Sequence, residues 1–322
     1  MRITLIGITL TVGLVLSFGA CSGGGAQGDP GDEVTLEQFD VWMTELSNWG
    51  RWGDDDELGA VNLITPEKRV AASRLVETGR TVSMSRAMEL QALADHPSGD
   101  DSADREPVLE GSVRSVFGID EGLGFFWERY EIEYHGGNVS HLDALCHVSY
   151  KGKVYNGRNF LDVASKEDGC SAMGIVNLKD GLVTRGVLLD MPGQSVKRQD
   201  IESWEEETGI TISSGDALFL RTGRDIGQQG GYHPSLIPFF KERDIALLGS
   251  DVPQEGGQIE GAMIPIHFFT LVSLGVHLFD NLGLEDLAEA AREENRWEFM
   301  FMASPHVIPN GAGSAINPTA LF

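Results

Sequence analysis

LVTRGVLLDMPGQSVKRQDIESWEEETGITISSGDALFLRTG (residues 182–223) reads as strand, helix, strand. Its outer runs, LVTRGVLLDM (182–191) and DALFLRTG (216–223), are apolar and bounded by turn residues, the pattern of strands buried on both faces. The inner run, KRQDIESWEEETG (197–209), has helical spacing and stops at Gly209. HPSLIPFFKERD (233–244) repeats the helical pattern and DIALLGSDV (244–252) the strand pattern. Alternation of this kind implies an α/β layer.

Outward from this core, TPEKRVAASRLVETG (65–79) is a helix by its ends: Thr65 caps, Pro66 stands at the first helical position and Gly79 stops it. RTVSMSRAM (80–88) and FFWERYEIEYHGG (125–137) alternate as strands do, and the polar, acidic stretch 90–112 between them reads as a loop or lid. Downstream, HFFTLVSL (267–274) is a short helix stopped by Gly275, VHLF (276–279) a short strand that delivers Asp280, and LGLEDLAEAAREEN (282–295) a polar-faced helix. No linker follows residue 40, so residues 41–322 form one catalytic domain.

The 322-residue chain carries 24 Lys and Arg against 49 Asp and Glu, a net charge of −25. No basic stripe exists to meet phosphates, which excludes nucleic acid as a partner. MRITLIGITLTVGLVLSFGAC (1–21) has one Arg, an apolar run and small residues before Cys21. It reads as a signal peptide over 1–20 followed by a lipidated Cys21, as in bacterial lipoproteins; a plain signal peptide and an N-terminal anchor are the other readings. Residues 21–40, with SGGGAQGDPGDE, make a flexible tether. The expectation is an exported protein facing the periplasm or cell exterior, touching the membrane only through a lipid anchor. Cys146 and Cys170 either pair in that compartment or stay as buried thiols.

VSHLDALCH (139–147) holds two of the chain's eight histidines beside a carboxylate. In a strand His141 and Asp143 point the same way, about 7 Å apart, and can converge on one cation. His147 shares a face with Asp143 if ALCH begins a helical turn, which places it beside the ion as a general base. His267, at an element start, and Asp280, at an element end, could complete the shell. His277 sits in an apolar run and reads as a core histidine, His96 and His233 as solvent-facing, and His306 is open. Trp49 and Trp52 in NWGRWG are core indoles or a platform for a planar substrate.

SHLDALCH resembles the T-H-x-D-x-P-x-H segment of the cyclase / kynurenine formamidase-like metal-dependent hydrolases. LSNWGRWGDDDELGAVNLITPEKRVAASRLVETGRTVSMS, DALFLRTG, ALLGSDVPQEG, HFFTLVSLGVHLFDNLGLEDLA and GAGSAINPTA are similar to further stretches of that family, in order, over about residues 40–322. The resemblance implies a swivelling β/β/α domain with a mixed sheet and a metal cleft, a divalent ion (zinc or manganese) and a homo-oligomer. It makes His141, Asp143 and His267 metal ligands, Asp280 a ligand where the family has Glu, and His147 the proton-transferring residue. A family ligand histidine falls at Gly137; His135, two residues earlier, can take its place through a bulge at the glycines. The implied activity is hydrolysis of a small amide, formamide or cyclic amide or ester, as in arylformamidases of tryptophan catabolism. The alternatives are a non-hydrolytic metal-binding lipoprotein and a cyclase or dehydratase using the same site.

Overall fold

The computed structural model describes residues 33–88, 115–119, 123–127, 132–135, 139–223 and 230–322. The signal segment, Cys21, the acidic stretch 90–112, His96 and Gly137 lie outside them.

Nine strands form one mixed sheet: Thr81–Ser83 (β1), His141–Asp143 (β2), Leu182–Asp190 (β3), Ala217–Arg221 (β4), Leu247–Ser250 (β5), His277–Asp280 (β6), Glu298–Ala303 (β7), Gly313–Ala315 (β8) and Thr319–Leu321 (β9). Their order is β1-β9-β7-β3-β4-β5-β6-β2-β8. The central strands β3 to β6 run parallel, and the pairs outside them are antiparallel. Parallel strands need crossovers, and helices Arg198–Thr208 and Ile237–Glu242 supply them. The expected α/β class with a mixed sheet is what the chain adopts. A separate hairpin joins Ser115–Ile119 to Leu123–Trp127.

Local chemistry explains most boundaries. Helix Leu36–Glu45 starts because the Thr35 side chain accepts from Gln38 N at 3.2 Å, and it is held by buried Phe39 and Met43. It therefore enters the stretch 21–40 assigned to the tether. Thr65 caps Pro66–Ser73 as expected, but that helix ends six residues before Gly79. Arg198–Thr208 ends at Gly209 with φ 71°. HFFTLVSL is helical through Leu274, in a π-helical form over Phe268–Leu274, and Gly275 stops it at φ 67°.

The core lies over the parallel strands, where Phe219, Phe279, Phe299 and Phe301 are fully buried in mutual ring contact. Each is worth roughly 1.5–3 kcal/mol in burial. This packing fixes β6, and β2 pairs with β6 in a register that sets Asp280 opposite His141 and Leu278 opposite Asp143. Two segments more than 130 residues apart in sequence thus deliver their polar ends to one place. Cys146 and Cys170 form a disulfide just past β2.

Candidate metal centre

Asp143 ends β2 with its carboxylate fully buried. Its ion-pair partners among the described residues are imidazoles only. Nε2 of His135, His141 and His147 stand 3.2, 3.6 and 4.0 Å from Asp143 Oδ1, and Nε2 of His267 stands 3.9 Å from Oδ2. Among the described residues neither oxygen has a hydrogen-bond partner, even with His135 at 3.2 Å. A buried carboxylate without a donor is costly.

The imidazoles are aimed by their other nitrogens. His141 Nδ1 lies 2.7 Å from the Val139 carbonyl oxygen, which only accepts, so Nδ1 carries the proton. In the neutral ring Nε2 then presents a lone pair to Asp143. His267 Nδ1 meets Glu255 Oε1 at 2.8 Å, and its Nε2 meets Asp280 Oδ2 at 3.1 Å. Gln254 Nε2 donates to Asp280 Oδ1 at 2.5 Å and to the Phe279 carbonyl at 2.8 Å. At Asp143 a lone pair and two carboxylate oxygens converge without a donor, the arrangement a cation resolves, whereas His267 and Asp280 already meet each other.

Two sets of ligand atoms each fit within 4.8 Å: His135, Asp143 and His147, and His141, Asp143 and Asp280. They share Asp143. A mixed imidazole and carboxylate donor set suits a divalent ion such as zinc or manganese.

The electrostatics couple these groups, and at His267 a cation would have a proton to displace from Nε2. Burial disfavours the charged form of Asp143, but the imidazoles of His147, His135, His141 and His267 outweigh it and hold the carboxyl below its usual range. Burial also opposes charge on His267, yet Asp280 and Glu255 raise it well above an ordinary imidazole. His147 is lowered, by burial first and by the neighbouring imidazoles, against the pull of Asp143. It is therefore a neutral base near pH 7.

The segment after β2 is a single turn closed by His147 N to Ala144 O at 2.9 Å, not a helix, but it brings His147 beside Asp143 as expected. His135 reaches the cluster too, and its ring stacks on that of His147 with centroids 4.0 Å apart. His277 is a buried core residue whose Nδ1 donates to the Asp143 carbonyl at 3.0 Å. His233, expected to face solvent, is half-buried, and its Nδ1 accepts from Ser235 N at the start of a helical turn. His306 is exposed. Trp49 donates from Nε1 to the Val272 carbonyl at 2.8 Å, and the Arg51 guanidinium lies 4.8 Å from the Trp52 ring. Both contacts are those of packed side chains.

Glu255 and Gln254 were not legible as site residues. They lie in ALLGSDVPQEG, which marks a strand and its exit loop, and nothing local says that this loop meets His267 twelve residues on.

Residues 51–255 match the profile of the family described as putative cyclase. The chain belongs to that family. The match spans His135, Asp143, His147 and Glu255, while His267 and Asp280 come from the part beyond it. Among solved structures, this cyclase-family chain is similar to one described as a novel cyclase, with TM-score 0.69 and 27% identity over 87% of this chain and 99% of that one. It is also similar to an isatin hydrolase bound to the product analogue thioisatinate, with TM-score 0.48 and 16% identity over 80% of this chain and 99% of that one. Isatin hydrolase A from Ralstonia solanacearum follows at TM-score 0.48 and 17% identity, over 80% of this chain and 97% of that one. No curated protein matches the sequence.

Proposed function

We propose that this cyclase-family chain is a metal-dependent hydrolase of a small amide, formamide or cyclic amide or ester. One observation carries the reading: the bare Nε2 of His141 faces the buried, donor-less carboxylate of Asp143. His141, Asp143, His267, Asp280 and His135 would hold the ion. A divalent cation there supplies Lewis acidity and an acidified water at neutral pH.

The chain's own groups do the rest. The Val139 carbonyl and the Glu255 carboxylate keep the His141 and His267 rings in a ligating orientation. Gln254 holds Asp280 by one oxygen and leaves the other toward His267. His147 takes a proton from water and returns it to the leaving nitrogen or oxygen. Run in reverse, the same proton transfers serve ring closure, which suits the cyclase-like relative.

Chelation and reconstitution with zinc or manganese, followed by assay on panels of aryl formamides, cyclic amides and lactones, tests the reading. Metal-dependent turnover supports it. Full metal occupancy with no turnover on any panel would favour a non-hydrolytic metal-binding protein. We further propose export and lipidation at Cys21; retention of the Cys21→Ser protein in the membrane fraction, as for wild type, would count against it.

A further inference from the structure

The helical segment that carries His267 is held at both ends by residues remote in sequence or on another loop. At its start Glu255 accepts from the main-chain N–H of Ile266 and of His267, each at 3.0 Å, and from His267 Nδ1 at 2.8 Å. At its end Trp49 Nε1 donates to the Val272 carbonyl at 2.8 Å and Asn48 N to the Ser273 carbonyl at 2.9 Å. Asn48 Nδ2 donates to the Leu274 carbonyl at 2.9 Å, and Ala60 N to that of Gly275 at 2.7 Å. The last carbonyls of a helix lack partners within it, and buried ones must find them elsewhere. Here four in a row are taken by residues 48–60. The Ser273 hydroxyl returns a bond to the Met43 carbonyl at 2.9 Å.

These donors are themselves fixed. Asn48 is buried, and its Oδ1 accepts from Arg51 Nη1 at 3.1 Å and from Lys241 Nζ. Both cations only donate, so Oδ1 faces them and Nδ2 is left for Leu274. The Trp49 indole lies on Gly157, where a Cβ would stand 3.1 Å from the ring.

Between the two holds, Phe268–Leu274 is π-helical, and Gly275 N reaches the Thr270 carbonyl five residues back. The buried Thr270 hydroxyl takes the Ile266 carbonyl at 2.6 Å. π turns are rare, and they gather at functional sites. Each residue of an α-helix advances about 100°. Loss of the extra residue in one π turn would therefore rotate His267 by about that angle against Leu274. Its Nε2 would leave Asp280 Oδ2, which it meets at 3.1 Å.

We propose that Asn48 and Trp49 are positioning residues for His267. By holding the far end of its helix they keep the π form, and the π form sets the imidazole against Asp280. A consequence for metal affinity rests on the metal-dependent reading; the effect on the helix does not.

A crystal structure of the metal-free Asn48→Asp/Trp49→Phe protein tests the effect on the helix. Asp keeps both cation contacts and Phe keeps a ring on Gly157, while two donors to the helix are lost. The expected result is i→i+4 bonding through residues 268–274, with His267 Nε2 beyond hydrogen-bond distance of Asp280. A π-helix with that contact intact overturns the proposal. Trp49→Phe alone is read in the same way if the double variant does not fold. Zinc affinity, by chelator competition, should fall about 10–100-fold in the double variant, and the absorption spectrum of the cobalt(II)-loaded protein should change. Val187→Ala opens a cavity in β3, which β4 and β5 separate from β6. It should lower the melting temperature and leave zinc affinity unchanged. Wild-type zinc affinity in the double variant, or an equal loss in Val187→Ala, overturns the positioning role. A wild-type chain that binds no zinc removes the metal reading, and an α-helical variant with His267 withdrawn from Asp280 still supports the role of Asn48 and Trp49.

Discussion

His141 Nε2 stands 3.6 Å from Asp143 Oδ1, too far for a hydrogen bond, with its own Nδ1 proton committed to Val139. Strand pairing holds the two groups in place, since β2 is hydrogen-bonded on both sides, to β6 and β8. Their backbones are therefore fixed side by side, and a cation between the two side chains would satisfy both.

Glu255 should matter for the metal without being a ligand. It accepts from the main-chain N–H of Ile266 and His267, each at 3.0 Å, and from His267 Nδ1. Glu255→Gln should lower metal affinity by about 10–100-fold, read by chelator competition. Unchanged affinity would show that His267 is oriented by its helix alone.

His147 should behave as a base. His147→Ala should reduce kcat by about 10²–10⁴-fold, with metal content unchanged by elemental analysis. The sign of the pH dependence follows from its lowered pKa. The ring is neutral and competent at pH 7, and activity is lost as pH falls through a value below that of an ordinary histidine. The kcat/KM profile of His147→Gln should lack this acid limb. Metal loss in the His147→Ala protein would instead make His147 a ligand, in keeping with its place in the set with His135 and Asp143.

The disulfide should stabilise the turn that carries His147. Cys146 and Cys170 are separated by 24 residues, a loop whose closure is worth about 3 kcal/mol. The Cys146→Ala/Cys170→Ala protein should be less stable by that amount, read from guanidinium unfolding. Coincident transitions with and without reductant in the wild type would rule the contribution out.

Gly275 should tolerate no side chain. It has φ 67°, its carbonyl accepts from Ala60 N at 2.7 Å, and a Cβ there would stand 2.6 Å from the Tyr155 ring. The Tyr155 hydroxyl donates to Asp56 at 3.1 Å, which resists displacement of the ring. Gly275→Ala should cost about 3 kcal/mol, from the left-handed backbone and the overpacking together. Chemical denaturation checks this, and a change under 1 kcal/mol would mean the ring moves freely.

The sequence by itself determined the central strands, several helix ends and the alignment of His141 with Asp143, while the helix read over 65–79 ends at Ser73 and, among the described residues, the strand read over 125–137 is strand only to Trp127. Period-two alternation in SHLD aimed His141 and Asp143 the same way, Thr65 and Gly209 marked helix ends, and the apolar runs at 182–191, 216–223 and 244–252 became the central strands. These are near-neighbour effects, set by backbone geometry and side-chain type within a few residues. Tertiary structure decided which distant groups meet. The register of β6 on β2 sets Asp280 against His141, and the exit loop of β5 carries Glu255 under His267. Such pairings depend on how the phenylalanine core fixes one strand against another, and no local pattern encodes the distance between residues a hundred positions apart.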